Sequence, residues 1–225
     1  MPNFRFVVSG LIVLGITAHL PAQIIQSKKG YVINVGFKKG QVLKQNMTMQ
    51  AIGNTKLKST SQFITKCIDV DKKGFATLDV TVPSTDGKTK PVKKRMKVDR
   101  HGKPIGATID GYSGTFVWPE TPVKVGQSWL GDISMGGPGQ GSATMALKST
   151  YKLTGFKTLN GVKVASISAV LKVTGTYDIS GDGMIYVRYS DGQLQSADFN
   201  MALGQFSESG TGGKLHLKMM IRTLP

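Results

Sequence analysis

Cysteine, histidine and glutamate are nearly missing from this chain of 225 residues. It holds one cysteine, Cys67, three histidines, and glutamate only at Glu120 and Glu208. A single cysteine rules out an intramolecular disulfide, and no Cys/His set with zinc-ligand spacing accompanies it. Neither HExxH nor HxH occurs, and the GxSxG elbow of many hydrolases is absent. Paired carboxylates for glycoside hydrolysis would have to come from aspartates that sit mostly at turns. The glycine-rich GGPGQG at 136–141 lacks the lysine, the hydroxyl and the following helix of a phosphate loop, and reads as a plain loop. No catalytic, metal or cofactor site is expected from these residues, and Cys67 itself fits a half-buried strand position in SQFITKCIDV.

Long apolar runs are scarce as well. The one exception is VVSGLIVLGITAHL, Val7 to Leu20, which follows Arg5 and precedes PAQ. A short basic head, an apolar stretch and a small residue at the end describe a secretory signal, and the stretch is short for the roughly 20 residues of a membrane span. The expectation is a signal peptide over 1–22, cleaved near Ala22, and an exported protein. No cysteine follows the run, so the signal is not of the lipoprotein type.

Amphipathic helix patterns are lacking too. The chain instead alternates polar with apolar or β-branched residues between Asp/Asn–Gly signals: STDGK at 84–88, LNGV at 159–162, SGDGM at 180–184 and YSDGQ at 189–193. Such dipeptides supply the positive φ angles of tight hairpins. The pattern VDxxG occurs at 70–74 and again at 98–102, each a slightly longer turn whose aspartate can accept backbone hydrogen bonds. Strands are expected over 42–52, 57–70, 75–82, 92–98, 123–129, 142–156, 162–177, 184–189, 194–203 and 214–224. Several exceed ten residues, which suits a strongly curved sheet. The expected fold is all-β: an antiparallel meander forming a strongly curved sheet, half-barrel or barrel, with few or no helices. Residues 23–225 are expected to form a single β-rich domain, with a basic first half (23–103), an irregular middle (104–141) and a second β half (142–225).

Charge is what the chain has in excess, with a formal net of +16. Residues 23–103 carry 18 Lys/Arg against 5 Asp, a net of +13, while 104–225 carry 10 against 8 acids, a net of +2. The densest stretch is KPVKKRMKVDRHGKP at 90–104. Period two puts Val92, Lys94, Met96 and Val98 on one face of a strand and Lys93, Arg95 and Lys97 on the other. If the STDGK turn pairs Val82 with Val92, Asp79 falls opposite Arg95 and the apolar faces coincide. The run is then the solvated face of a hairpin, ending in the VDRHG turn. Lys93, Arg95, Lys97, Arg100 and Lys103 are candidate contacts to an anionic surface. Residues 84–104 contain no aromatics for base stacking, which argues against nucleic acid, and lysine outnumbers arginine, which favours diffuse attraction over bidentate recognition. His101 reads as a solvated turn residue, and His216 and Asp198 as outward-facing strand residues. Met47, Met49, Met201, Met219 and Met220 read as core filling.

Taken in order, the signal segment, GFKKGQVLKQNMTM, VDKKGFATLDVTV, WPETPVKVGQSW and SGDGMIYVRYSDGQLQSADFNMAL resemble exported bacterial β-rich proteins of uncharacterised function, of planctomycete type. Their layout is also similar in a general way to the half-barrel of periplasmic lipoprotein carriers. In PVKVGQSW the resemblance implies a turn before a strand whose Trp129 packs inward. Two functional expectations follow. One is a non-enzymatic envelope protein that binds or carries an apolar or amphipathic ligand, such as a lipid. The other is an interaction module held to an anionic envelope surface or a partner protein through its basic half.

Overall fold

The structure, a computed structural model, describes residues 22–82, 90–105, 118–135, 145–174, 179–189, 194–204 and 215–224. The signal expected at 1–22 and the GGPGQG loop lie outside this set, apart from Ala22. Every regular element described is a strand: β1 (Ala22–Ser27), β2 (Gly30–Val35), β3 (Val42–Ala51), β4 (Asn54–Val70), β5 (Ala76–Val82), β6 (Val92–Val98), β7 (Ser128–Met135), β8 (Met145–Leu159), β9 (Val162–Thr174), β10 (Ile179–Arg188), β11 (Leu194–Leu203) and β12 (Leu215–Thr223). Strands β3 to β12 form one antiparallel sheet in the order β6-β5-β4-β3-β12-β11-β10-β9-β8-β7. Two meanders, β3–β6 and β7–β12, are thus joined where the first strand of the sheet pairs with the last, Met49 opposite Met219. Each strand otherwise pairs with its neighbours in the chain, and the ring stays open between β6 and β7. A sheet of this length accumulates twist and curls around its apolar face.

One core cluster fills the curve. It takes Met47 and Met49 from β3, Phe63 and Cys67 from β4, Leu78 and Val80 from β5, Tyr151 and Leu153 from β8, and Phe199 and Met201 from β11, all at most 2 % exposed. The hairpin β1–β2 is not part of the large sheet. It puts Ile24 and Ile33 into the same core, and pairs Tyr31 with Val123 in the segment before β7. Tyr31 also meets the ring of Phe156 on β8, with centroids 4.6 Å apart. Sequence patterning missed this hairpin, because SKKG offers only a weak turn signal between two short strands.

The two meanders are built to one plan. Before β3, Lys38-Lys39-Gly40-Gln41 forms a turn in which Gln41 N donates to Lys38 O at 3.0 Å, and the Gln41 side-chain oxygen accepts from Lys38 N at 3.3 Å. Before β7, Lys124-Val125-Gly126-Gln127 repeats both bonds, each at 3.0 Å. Gly40 and Gly126 take φ of 81° and 89°, a left-handed geometry that favours glycine. Each then donates to the following long strand, Gly40 to Cys67 O and Gly126 to Leu153 O. Both long strands carry a bulge at that point, between Cys67 and Asp69 in β4 and between Leu153 and Gly155 in β8. Past the bulges the register still matches: Cys67, Leu78 and Met96 line up across β4–β6 as Leu153, Ile167 and Ile185 do across β8–β10.

Several expected turns stand where the residues put them. Asn160 and Gly161 have positive φ between β8 and β9. In both VDxxG turns the aspartate accepts two backbone N–H groups: Asp71 from Lys73 and Phe75, both at 2.9 Å, and Asp99 from His101 and Lys103, both at 2.8 Å. SGDGM is a correction: it is no turn but the first half of β10. Gly183 lies opposite Phe199, whose ring occupies the space where a side chain would stand. A local Asp-Gly signal yields here to cross-strand packing. Likewise, the strand expected at 123–129 starts later: 124–127 forms a turn, and β7 runs over 128–135. Trp129 stacks on Tyr151 with centroids 5.6 Å apart.

Candidate functional site

Strand β6 pairs with β5 in the expected register, Val82 with Val92 and Asp79 with Arg95. The inner face runs Val98, Met96, Lys94, with Val98 fully buried and Lys94 opposite Val80 near the open edge. Lys93, Arg95 and Lys97 project outward and are exposed, as are Arg100 and Lys103 in and after the following turn. All five candidate residues therefore lie at the outer surface, but they are not equivalent.

Arg95 forks onto Asp79, with Nε to Oδ1 at 2.7 Å and the terminal nitrogen to Oδ2 at 3.0 Å. This bond holds the Asp79 carboxyl below the usual carboxylate range and raises the guanidinium pKa in return. Lys97 reaches Asp71 at 2.9 Å while passing over the ring of Phe75. The Lys97 hydrogen bond, with the Phe75 N–H behind it, lowers the Asp71 pKa. Arg100 Nε donates to His101 Nε2 at 3.1 Å. Arg95 and Lys97 are thus neutralised locally, which leaves Lys93, Arg100 and Lys103 as the cations of the candidate set without a carboxylate partner among the described residues.

The sheet adds two that the sequence did not reveal. Across the outer surface, Lys93 pairs with Thr81, Thr81 with Ile64, and Ile64 with Lys44, so one row over four strands ends in lysine on both sides. The next row runs Arg95, Asp79, Lys66, Val42. Lys44, Lys66 and Lys93 are all exposed, with Ile64 half-buried among them and Val42 48 % exposed at the margin. At about 4.8 Å between strands, the outer two lysines stand roughly 14 Å apart. Their outward positions on β3 and β4 could be read from alternation, but their place in one row with Lys93 depends on three strand registers. The equivalent row of the second meander reads Leu130, Thr150, Val170, Asp182. Where the first meander has lysines, the second has an apolar residue and an acid.

His101 corrects another expectation. It is only 8 % exposed, because the chain returns over the VDRHG turn and Trp118 N donates to its carbonyl at 2.9 Å. Its Nδ1 has no hydrogen-bond partner among the described residues. His216 is exposed on β12 as expected, and Asp198 is held by Arg222 at 2.7 Å on the outer surface. Cys67 is buried rather than half-buried. Its thiol donates to Asp69 O at 3.6 Å, and burial pushes its pKa up. Met47, Met49, Met201 and Met219 belong to the core. Among the described residues no three His, Cys, Asp or Glu side chains stand together in a way that could hold a metal ion.

Comparison with protein-family models gives no match, and comparison with curated protein sequences gives none either.

Proposed function

We propose that this protein is an exported, non-enzymatic interaction module whose first meander rests its outer surface against an anionic envelope surface. The observation that supports this reading most is the lattice of exposed lysines at Lys44, Lys66 and Lys93, spread over four strands that pack a filled core on their other side. The three lysines are exposed on three different strands, with Ile64, Thr81 and Asp79 set between them. Arg95, the residue suited to bidentate recognition, is already committed to Asp79. What remains is a diffuse positive field, matched to a plane of headgroup charges and weakened by salt over a screening length of about 8 Å.

The test is co-sedimentation of residues 23–225 with vesicles of anionic or zwitterionic lipid. Each lysine close to such a surface contributes about 1 kcal/mol, so removing three costs about 3 kcal/mol, a factor on the order of a hundred in partitioning. The triple variant Lys44→Glu/Lys66→Glu/Lys93→Glu is expected to lose anionic binding to at least that degree. Unchanged partitioning of the variant would sink the proposal.

A second reading, carriage of an amphipathic ligand inside the curve, draws support from one feature. Gln45 Oε1 and Thr65 Oγ1 are buried on adjoining inner strands and have no hydrogen-bond partner among the described residues. Against it stands the density of the chain's own side chains there, from Phe63 to Met219, each at most 1 % exposed. Native mass spectrometry of the purified chain separates the two readings, since a carrier would bring a reproducible adduct of lipid-like mass.

A further inference from the structure

The ladder of the large sheet is open between β6 and β7, yet at one end of the sheet backbone bonds bridge the gap. Trp118 N donates to His101 O in the turn after β6 at 2.9 Å. Tyr31 and Val123 exchange two bonds at 2.8 and 2.9 Å, and Gly126 N donates to Leu153 O on β8 at 2.7 Å. The strand registers bring the turns at 38–41, 71–75, 99–103, 124–127 and 160–161 to this same end. The tip of the β1–β2 hairpin joins them, since Gly30 lies against the Val123 carbonyl. A rim of successive turn tips results, and it crosses the gap in the sheet.

That rim is basic along its course. Adjacent lysines occupy three of the tips, Lys28-Lys29, Lys38-Lys39 and Lys72-Lys73, and all six are exposed. Lys124 continues the series past the gap, and Lys157 and Lys163 flank the β8–β9 tip; these three are exposed as well. Most acids at this end are engaged. Lys39 holds Asp69 at 3.2 Å, while Asp71 and Asp99 accept backbone N–H groups inside their own turns. Glu120 is exposed and has no basic partner among the described residues. At the opposite end, the Ile52-Gly53 turn carries no charge.

The geometry points to this rim as a docking site for a linear acidic polysaccharide. Neighbouring strand ends stand about 4.8 Å apart, so cations on successive tips suit a chain that repeats one carboxylate per sugar and follows the curve. Lysine offers a hydrated point charge and not the fork with which arginine grips a single carboxylate or phosphate, so the rim reads a charge repeat and not one group. Single-stranded nucleic acid would gain by stacking bases on aromatic rings. The rings at this end already hold ammonium groups: Lys157 lies 4.2 Å from the Tyr186 centroid and Lys163 lies 4.3 Å from that of Tyr189. The rim is distinct from the outer lattice of Lys44, Lys66 and Lys93. The fold would then meet two anionic partners of different shape, a plane on its outer surface and a chain along its rim.

The probe is a fluorescein-labelled oligogalacturonate, titrated into residues 23–225 by fluorescence polarisation at several salt concentrations. Lysine acetylation footprinting is run on the same samples. Saturable binding that weakens with salt is expected, with protection of Lys28, Lys73 and Lys124 but not of Lys44, Lys66 and Lys93. Lys28→Glu/Lys73→Glu/Lys124→Glu should weaken binding at least about tenfold, whereas Lys44→Glu/Lys66→Glu/Lys93→Glu, equal in charge change, should weaken it less than about threefold. Footprinting of the unaltered chain decides the matter if the rim variant fails to fold. The proposal is overturned by absence of binding at low salt, by equal protection of both lysine sets, or by equal loss in the two variants. Tighter binding of a single-stranded oligonucleotide of the same charge overturns it too. So does a rim variant that loses anionic-vesicle binding but keeps the oligogalacturonate, because the rim would then face the membrane.

Discussion

Replacing Gly183 by alanine should damage the fold, and the size of the effect can be worked out. A Cβ on Gly183 would stand 2.2 Å from Asp198 O, 2.4 Å from Phe199 Cδ1 and 2.7 Å from Phe199 Cγ. None of these atoms is the loose end of a flexible chain. The carbonyl belongs to the β10–β11 ladder, and the Phe199 ring is 1 % exposed in the core. Adding a methylene to a well-packed core costs about 1–3 kcal/mol, and loss of a buried phenylalanine's packing costs about 3–5 kcal/mol. Partial expulsion of the ring puts the expected loss at about 3 kcal/mol or more. For a chain of this size that is a fall in Tm of about 6–12 °C, at roughly 2–4 °C per kcal/mol.

Gly181→Ala is the internal control. Its Cβ would meet Asn200 O at 2.8 Å, but its closest side-chain neighbour is Met201 Cγ at 3.1 Å, and methionine can yield. About 1 kcal/mol is expected there. Both variants are measured by thermal and urea unfolding, and the double variant Gly183→Ala/Phe199→Ala isolates the part carried by the ring. A coupling of at least about 1 kcal/mol between the two sites should appear. If Gly183→Ala loses no more than Gly181→Ala, Phe199 does not depend on the missing side chain, and the reason given for a strand at SGDGM is wrong.

Three further outcomes can be checked. Asp71 and Asp79 have lowered pKa values in the folded protein, so their bonds stabilise it above the ordinary carboxylate pKa near 3.8 and are lost as pH falls through the lower folded values. Acid unfolding of Asp79→Asn should therefore show a shallower slope below about pH 4. Burial raises the Cys67 pKa, so folding stability should drop as pH rises above the unfolded thiol's value of 9.0, and a thiol reagent at pH 8 should label the native chain only at the rate of opening. Asp99→Ala removes two backbone acceptor bonds in the turn that carries His101, with an expected cost of about 1–2 kcal/mol by urea unfolding.

The parts of this fold legible in the sequence are those with period-two alternation next to strong turn chemistry. The β5–β6 hairpin is the clearest: alternation on both sides of STDGK fixes its register, and with it the Asp79–Arg95 pair. The paired VDxxG turns and the Asn160-Gly161 turn depend on a few residues each and are equally plain. What escaped depends on distant partners. Gly183 becomes a strand residue because Phe199 lies over it, and His101 becomes buried because the chain returns at Trp118. The same holds for the candidate site. Lys93 was visible as an outward residue, but Lys44 and Lys66 join it only through the β3–β4–β5–β6 registers. Conversely, Lys97 looked available until Asp71 was seen to hold it, whereas the pairing of Arg95 with Asp79 was already implied by the register.

The most direct measurement of the central proposal is anionic-vesicle binding as a function of salt, with charge reversal placed on either meander. Lys44, Lys66 and Lys93 are reversed in one variant, and the exposed Lys148, Lys152 and Lys172 of the second meander in the other. Binding that falls steeply with salt, is lost in the first variant and persists in the second is the expected result. Equal loss in both variants would mean that net charge alone drives association, with no designated surface. No loss in the first would contradict the proposal outright.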